Sequence, residues 1–250
     1  MHKGNYLLKT IDVLLLPEEI LNRNFNDKLV VMIDVLRASS TIVTALSRGC
    51  EGFIPIFSPG EARKKAKNIK SNHILLCGER KGKKIFGFDL GNSPLEFKEE
   101  IVKYKKIVFT TTNGVKVLEM ASYASEIIIC SFLNINAVCD YCLRFKGDIF
   151  IICAGSEGQF SLEDTVCAGM LMNCVSRESH EIISESDAVK ASQILYKHYG
   201  KDLLGMLKKS QHGKYLRSIG LEKDLQFCAS INLFNIVPIY KNGAIIAFAK

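Results

Sequence analysis

Short apolar runs alternate with longer segments of helical periodicity through the first two-thirds of the chain. Residues 29–35 read as a buried strand, followed by a helix over about 39–48 that Gly49 stops. Further strands are predicted at 53–57, 74–77, 106–109, 126–130 and 149–153. Between them lie helix starts. Ser58-Pro59-Gly60-Glu61 supplies a cap, a first-turn proline and a capping-box acid in order. Asn92-Ser93-Pro94-Leu95-Glu96 reads as a second capped start, and residues 110–114 lead into a helix reaching about Ala121. Asn134 opens another, and Ser161-Leu162-Glu163-Asp164 is a capping box on a long helix. This alternation predicts an α/β fold with a mostly parallel, doubly wound sheet and helices on both faces. Residues 184–228 pattern as helices without a strand, giving a helical C-terminal segment that could form a lobe of a single domain spanning 1–250. Late strands at 236–240 and 244–248 are expected to close or extend the sheet. No linker, low-complexity tract or internal repeat interrupts the pattern.

Composition narrows the setting. The 250 residues are 48% hydrophobic, enough for a sizeable core. No apolar run reaches membrane-spanning length. The apolar residues 13–16 precede Pro17-Glu18-Glu19 without a cleavage site, so a signal peptide is not expected and a cytoplasmic location is. Nine cysteines fit a reducing compartment. Most lie within apolar runs (Cys77, Cys130, Cys153, Cys167), as free, buried thiols would. Cys139 and Cys142 form a lone Cys-x-x-Cys with no second pair at zinc spacing. The formal charge of +7 is scattered over Arg63-Lys64-Lys65, residues 103–106 and Lys208-Lys209 without interleaved aromatics. That pattern suits solvated faces and an anionic small substrate rather than nucleic acid.

In an open parallel sheet ligands bind beyond the C-terminal strand ends, so the residues following each strand carry the chemistry. They are Asp34, Arg37, Ser39, Ser40 and Thr41; Glu79 and Arg80; Thr110, Thr111, Thr112, Asn113 and Gly114; Ser131 and Asn134; and the residues 154–158 with Gly155. Hydroxyls and helix N-termini suit phosphate, arginine forks suit phosphate or sulfonate oxygens, and carboxylates suit Mg²⁺. Taken singly, each turn reads equally well as a cap or a structural loop. Cys153, at a strand end, and His212, in Gln211-His212-Gly213, are weaker candidates: a packed thiol and a surface or capping histidine are the commoner readings. The chain lacks the phosphate loop of nucleotide hydrolases, the G-x-G-x-x-G dinucleotide turn, an Asp-x-Asp at Asp34, the cysteine-phosphatase Cys–Arg spacing and G-x-S-x-G. The residues thus predict an anion-plus-cation site at a sheet edge and leave the substrate open.

The same turns carry a family resemblance. The stretch from Val30 through Asp34-Val35-Leu36-Arg37-Ala38-Ser39-Ser40-Thr41 resembles the opening motif of the 2-phosphosulfolactate phosphatases. So do Gly78-Glu79-Arg80, Gly87-Phe88-Asp89-Leu90-Gly91-Asn92-Ser93-Pro94, Thr110-Thr111-Thr112-Asn113-Gly114, and Cys153-Ala154-Gly155 with Phe160-Ser161-Leu162-Glu163-Asp164. Val115 and the Ser39-Ser40-Thr41 spelling depart from the family pattern. The resemblance implies Mg²⁺-dependent release of phosphate from 2-phospho-3-sulfolactate to give 3-sulfolactate, a step of coenzyme M biosynthesis. It implies Mg²⁺ held by some of Asp34, Glu79, Asp89, Glu163 and Asp164, with Arg37 and Arg80 neutralising phosphoryl oxygens. Ser39, Ser40, Thr41, Asn92, Ser93, Thr111, Thr112, Asn113, Gly114 and Gly155 would contact substrate. A metal-oriented water is the expected attacker and Asp34 as covalent nucleophile the competitor. A phosphatase for another phosphorylated hydroxy acid and a non-catalytic binder of small organic anions stay open, as does homo-oligomerisation.

Overall fold

A computed structural model describes residues 9–69, 73–179, 182–183 and 186–248. Its strands are β1 (Lys9–Leu14), β2 (Leu29–Ile33), β3 (Gly52–Pro55), β4 (Ile74–Arg80), β5 (Lys83–Lys84), β6 (Lys106–Thr110), β7 (Glu126–Cys130), β8 (Ile149–Cys153), β9 (Ile182–Ile183), β10 (Pro238–Lys241) and β11 (Ala244–Ala247). Its helices are α1 (Ala38–Ser47), α2 (Pro59–Asn68), α3 (Glu99–Val102), α4 (Gly114–Met120), α5 (Ile135–Arg144), α6 (Leu162–Glu178), α7 (Asp187–Tyr199), α8 (Leu203–Lys209), α9 (Gln211–Ser218) and α10 (Glu222–Cys228). The predicted caps form: Ser58 Oγ accepts the Glu61 N–H, and Ser161 Oγ accepts the Asp164 N–H. The predicted helix start at Asn92 does not. Residues 92–96 are turns, and helix begins only at Glu99, because the Asn92 and Ser93 side chains are drawn into the interior instead of capping.

Alternation along the central strands decides the layers. Leu29, Val31 and Ile33 of β2 face one core with residues of α5, α6 and the C-terminal helices, including Leu207, Leu216 and Leu225. Val30 and Met32 face a second core with α1 and Phe53, Phe97 and Phe109. All five side chains of β2 are completely buried, each contributing roughly 1.5–3 kcal/mol of transfer free energy, so neither face tolerates a polar residue there. A third, smaller cluster joins Ala62 of α2 to Val108 and Phe88. The sheet is therefore covered on both sides, as the predicted fold requires.

The strand order is β5-β4-β6-β3-β11-β10-β7-β2-β8-β1-β9. Two parallel groups, β4-β6-β3 and β7-β2-β8-β1-β9, are joined through the antiparallel hairpin β10–β11. The late strands thus neither close nor extend the sheet; they fill its middle. Three successive antiparallel pairings reverse the sense of the β4 group relative to the β7 group. Six strand-to-strand steps of roughly 20–25° separate β2 from β4, a rotation of roughly 120–150° that brings the reversed strands back toward the sense of β2. The C-terminal ends of β2, β4 and β6 consequently meet at one cavity. Among the described residues, no helix is long and apolar enough to cross a membrane.

Candidate active site

The cavity has a volume of about 390 Å³. Asp34 and Arg37 enter it from the turn between β2 and α1, and Glu79, Lys81 and Gly82 from the end of β4 and the turn into β5. Thr111, Thr112 and Asn113 come from the turn between β6 and α4, and Asn92 from the turns before α3. Ser156 and Glu157 follow β8, and Gln211, His212 and Tyr215 come from α9. Gly78 lets β4 reach this edge. Its φ of +152° and its approach to Thr110, whose carbonyl oxygen would lie 2.2 Å from an added Cβ, exclude any side chain. Gly114 similarly lets α4 close on Asp34, whose Oδ2 would lie 3.3 Å from an added Cβ.

Asp34 is 5% exposed. Its Oδ1 accepts the Ala38 N–H of α1 at 3.2 Å, and its own N–H donates to Ser39 Oγ at 2.9 Å. Burial pushes its carboxyl up to about 7; the charges of Glu79 and Glu163 push the same way, opposed by the Ala38 N–H and Arg37. Glu163 and Asp164 stand behind it rather than in the cavity wall. Asp164 Oδ1 accepts the Val35 N–H at 2.8 Å, and burial, with Asp34 and Glu163, holds its carboxyl well above the usual range. Burial also raises Glu163, against hydrogen bonds that include the Ser210 and Ser161 hydroxyls. Glu79 accepts from Gly82 N–H at 2.8 Å and from the Thr112 N–H and hydroxyl at 3.1 Å each.

Of the residues singled out from sequence, Asp34, Arg37, Glu79, Asn92, Thr111, Thr112 and Asn113 line the cavity, and Gly114 abuts Asp34. Two of them carry buried polar atoms with no partner in the protein: Asn92 Oδ1, in a residue 4% exposed, and Thr111 Oγ1, in one 2% exposed. Such orphaned groups are costly unless a ligand or water satisfies them. The remaining expectations place differently. Ser40 Oγ donates to Val35 O and Thr41 Oγ1 to Asn92 O, so this run shapes the turn and holds Asn92 without lining the cavity. Ser93 Oγ donates to Asp224. Gly155 makes a turn at φ +68°. Arg80 is outside the cavity lining: its guanidinium is spent on the carbonyl oxygens of Glu79 and Phe57 and on Thr110 Oγ1. Asp89 is exposed outside the cavity lining, where Oδ2 accepts the Leu76 N–H and fixes the chain beside β4. Neither Arg80, expected to neutralise phosphoryl oxygens, nor Asp89, expected among the Mg²⁺ carboxylates, is brought into this cavity's lining.

Other participants carry no strong local signal. Lys81 brings an exposed ammonium to the rim. Asp224 of α10 binds Arg37 Nη1 at 2.6 Å in an ion pair whose side chains are 2–3% exposed. His212 lies in the first turn of α9, where Ser210 Oγ accepts the Gly213 N–H; burial, then Arg37, lowers its pKa and favours the neutral ring. All nine cysteines are free. Cys153 is fully buried, and burial raises its thiol well above the usual range, the opposite of a nucleophile's requirement. Cys139 and Cys142 are both buried on α5.

Among the described residues no cluster of three or more His, Cys, Asp or Glu side chains converges on one metal position. The donor chemistry at the cavity is oxygen throughout its acidic wall, with Asp34 and Glu79 as charged donors and the free Asn92 and Thr111 oxygens nearby. That set fits a hard cation that keeps several waters and takes only one or two carboxylates from the protein.

A family model described as 2-phosphosulpholactate phosphatase matches residues 14–243. A Clostridium tetani protein named "Probable 2-phosphosulfolactate phosphatase" is 39% identical over 235 residues, 94% of this chain and 99% of its own. Proteins of the same name from Caldanaerobacter subterraneus and Thermotoga petrophila are 42% and 45% identical over 224 and 216 residues, covering 90% and 86% of this chain and 92% and 90% of theirs. With strand-end turns that converge on one anion-and-cation cavity, and with matches of this extent, the chain belongs to the 2-phosphosulfolactate phosphatase family of phosphoric monoester hydrolases.

Proposed function

We propose that this enzyme is a Mg²⁺-dependent phosphatase that converts 2-phospho-3-sulfolactate to 3-sulfolactate and inorganic phosphate, the coenzyme M biosynthetic step implied by the family. The observation that carries the reading is the pairing, in one cavity, of two carboxylates with unpartnered Asn92 and Thr111 oxygens and two cations, Arg37 and Lys81. Asp34 and Glu79 would hold the metal. When bound, Mg²⁺ supplies charge neutralisation and polarisation of phosphoryl oxygens. Thr111 Oγ1 donates a hydrogen bond to a phosphoryl oxygen, and Lys81 meets the anionic end of the substrate from the rim. Neutral His212 accepts on a ring nitrogen the proton of the attacking water as the new P–O bond forms and the P–O bond to the substrate's C2 oxygen breaks, and that oxygen takes up a proton from solvent water to leave as the hydroxyl of 3-sulfolactate. Asp34 serves as a held carboxylate rather than a covalent nucleophile, since the Ala38 N–H and the close-packed Gly114 fix it in place. Nine free thiols support residence in the reducing cytoplasm.

The test is phosphate release from 2-phospho-3-sulfolactate and from other phosphorylated hydroxy acids, with and without Mg²⁺. Highest efficiency with the sulfonated substrate supports the assignment. Equal efficiency on unsulfonated analogues moves it to a broader phosphatase, and tight binding without turnover makes the protein an anion-binding module.

A further inference from the structure

The helices following α6 reach the cavity through α9, and they also reach behind it. Asp224 of α10 is 2% exposed, and both its carboxylate oxygens are engaged. Oδ2 accepts from Arg37 Nη1 at 2.6 Å, and Oδ1 accepts from Ser93 Oγ at 2.6 Å. Arg37 Nη2 donates to the Gly82 carbonyl oxygen at 2.7 Å, and the Gly82 N–H donates to Glu79 Oε2 at 2.8 Å. One carboxylate therefore ties together four stretches of chain far apart in sequence: the turn entering α1, the turn after β4, the turns before α3, and α10.

The chemistry of Arg37 shows what this arrangement decides. Two of its five N–H donors are engaged by protein groups, and the side chain also lines the cavity. Its charge acts on Asp34. A guanidinium in a buried site pairs with the carboxylate best placed to meet its fork. Asp224 is an acid outside the cavity lining that occupies one edge of the fork. It holds the positive group beside the cavity.

We propose that Asp224 is a positioning residue for the phosphatase reaction, acting through Arg37 to aim the guanidinium's remaining donors at the substrate anion and to leave the Asp34 carboxylate unclaimed. The proposal rests on the phosphatase reading above.

The experiment is a double-mutant cycle on the full chain with Arg37→Ala, Asp224→Ala and the combined variant, and with Asp224→Asn beside them. Melting temperature, kcat and KM for a phosphomonoester that the wild type hydrolyses, and competitive inhibition by inorganic phosphate, are read on the same preparations. Asp224→Ala is expected to lower kcat/KM per folded molecule by about ten-fold or more, the loss of one charge-assisted contact, and to weaken phosphate inhibition in parallel. In the Arg37→Ala background the same change is expected to alter kcat/KM by less than about two-fold, because nothing remains to be positioned. Asp224→Asn, which keeps the shape and one acceptor, is expected to fall between wild type and Asp224→Ala. Should Asp224→Ala fail to fold, Asp224→Asn and the combined variant, which leaves no buried charge unpaired, carry the comparison. Wild-type kcat/KM per folded molecule in the Asp224 variants, with only the melting temperature lowered, overturns the proposal. So do losses that multiply in the combined variant. A wild type that hydrolyses no phosphomonoester counts against the phosphatase reading. Calorimetric titration of inorganic phosphate into the same four proteins then tests the positioning by the same non-additivity.

Discussion

Replacing Asp34 by Asn is expected to stabilise the metal-free protein while abolishing turnover, and the stabilisation is expected to depend on pH. The folded chain holds the Asp34 carboxyl at about 7 against an ordinary 3.8, chiefly because the group is buried and faces Glu79 and Glu163. Below about pH 4 the carboxyl is protonated in both folded and unfolded chains and costs nothing. As pH rises from there toward 7, the unfolded chain releases the proton first and folding becomes steadily less favourable; above about 7 the full penalty persists. At ~1.4 kcal/mol per tenfold, the penalty is on the order of 4 kcal/mol. For a chain of this size that corresponds to roughly 10 °C in melting temperature. Asparagine keeps an acceptor for the Ala38 N–H, which spares the turn into α1. The assay is thermal unfolding of both proteins, freed of divalent cations, from pH 4 to pH 8. The gap in favour of Asp34→Asn should be small at pH 4, widen through pH 5–7 and level off by pH 8, and Mg²⁺ added to the wild type at pH 8 should narrow it. A gap independent of pH, or a variant less stable than wild type at pH 8, would refute the idea that this carboxylate is held charged at a cost.

Three further outcomes are expected. Chelation of divalent cations should abolish phosphate release and readded Mg²⁺ or Mn²⁺ restore it, whereas a zinc-selective chelator should leave it intact; full activity after exhaustive demetallation contradicts the oxygen-donor reading of the cavity. His212→Asn should lower kcat by about a hundred-fold. Because its burial favours the neutral ring, the wild-type acid limb attributable to it should lie below pH 6.5 and disappear in the variant; an unchanged profile removes His212 from proton transfer. Alkylation of the native protein without reductant should label Cys174 first, since it is half-buried where the other eight are buried; an intact Cys139–Cys142 disulfide in native protein would run against the free thiols described above.

The strands were legible wherever burial on both faces produces a continuous apolar run, as in β2, β7 and β8. β1 was not, because Lys9-Thr10-Ile11-Asp12-Val13-Leu14 mixes polar and apolar positions near one end of the sheet. The placement of β10–β11 in the middle is a long-range choice that no local pattern encodes. Within the site, Asp34 and the Thr111–Asn113 turn were readable because each directly follows a clear strand, and Glu79 because it lies at the end of one. Arg80 and Asp89 share that neighbourhood but serve the backbone around them. Asp224 stands in Glu222-Lys223-Asp224 at the start of a short helix, where an acid ordinarily needs no explanation beyond the helix dipole. His212 was visible as a residue, but whether it met solvent or a cavity depended on how α9 docks.

The hairpin β10–β11 also bears on the order in which the molecule is made. The strands it bridges, β3 and β7, leave the ribosome well before it, and until residues 238–247 follow, each presents an unpaired row of amides and carbonyls. Such edges invite pairing with other chains. A chain halted or clipped before Pro238 would therefore hold two half-sheets with bare inner margins, a species prone to self-association even though every group lining the candidate cavity precedes the break.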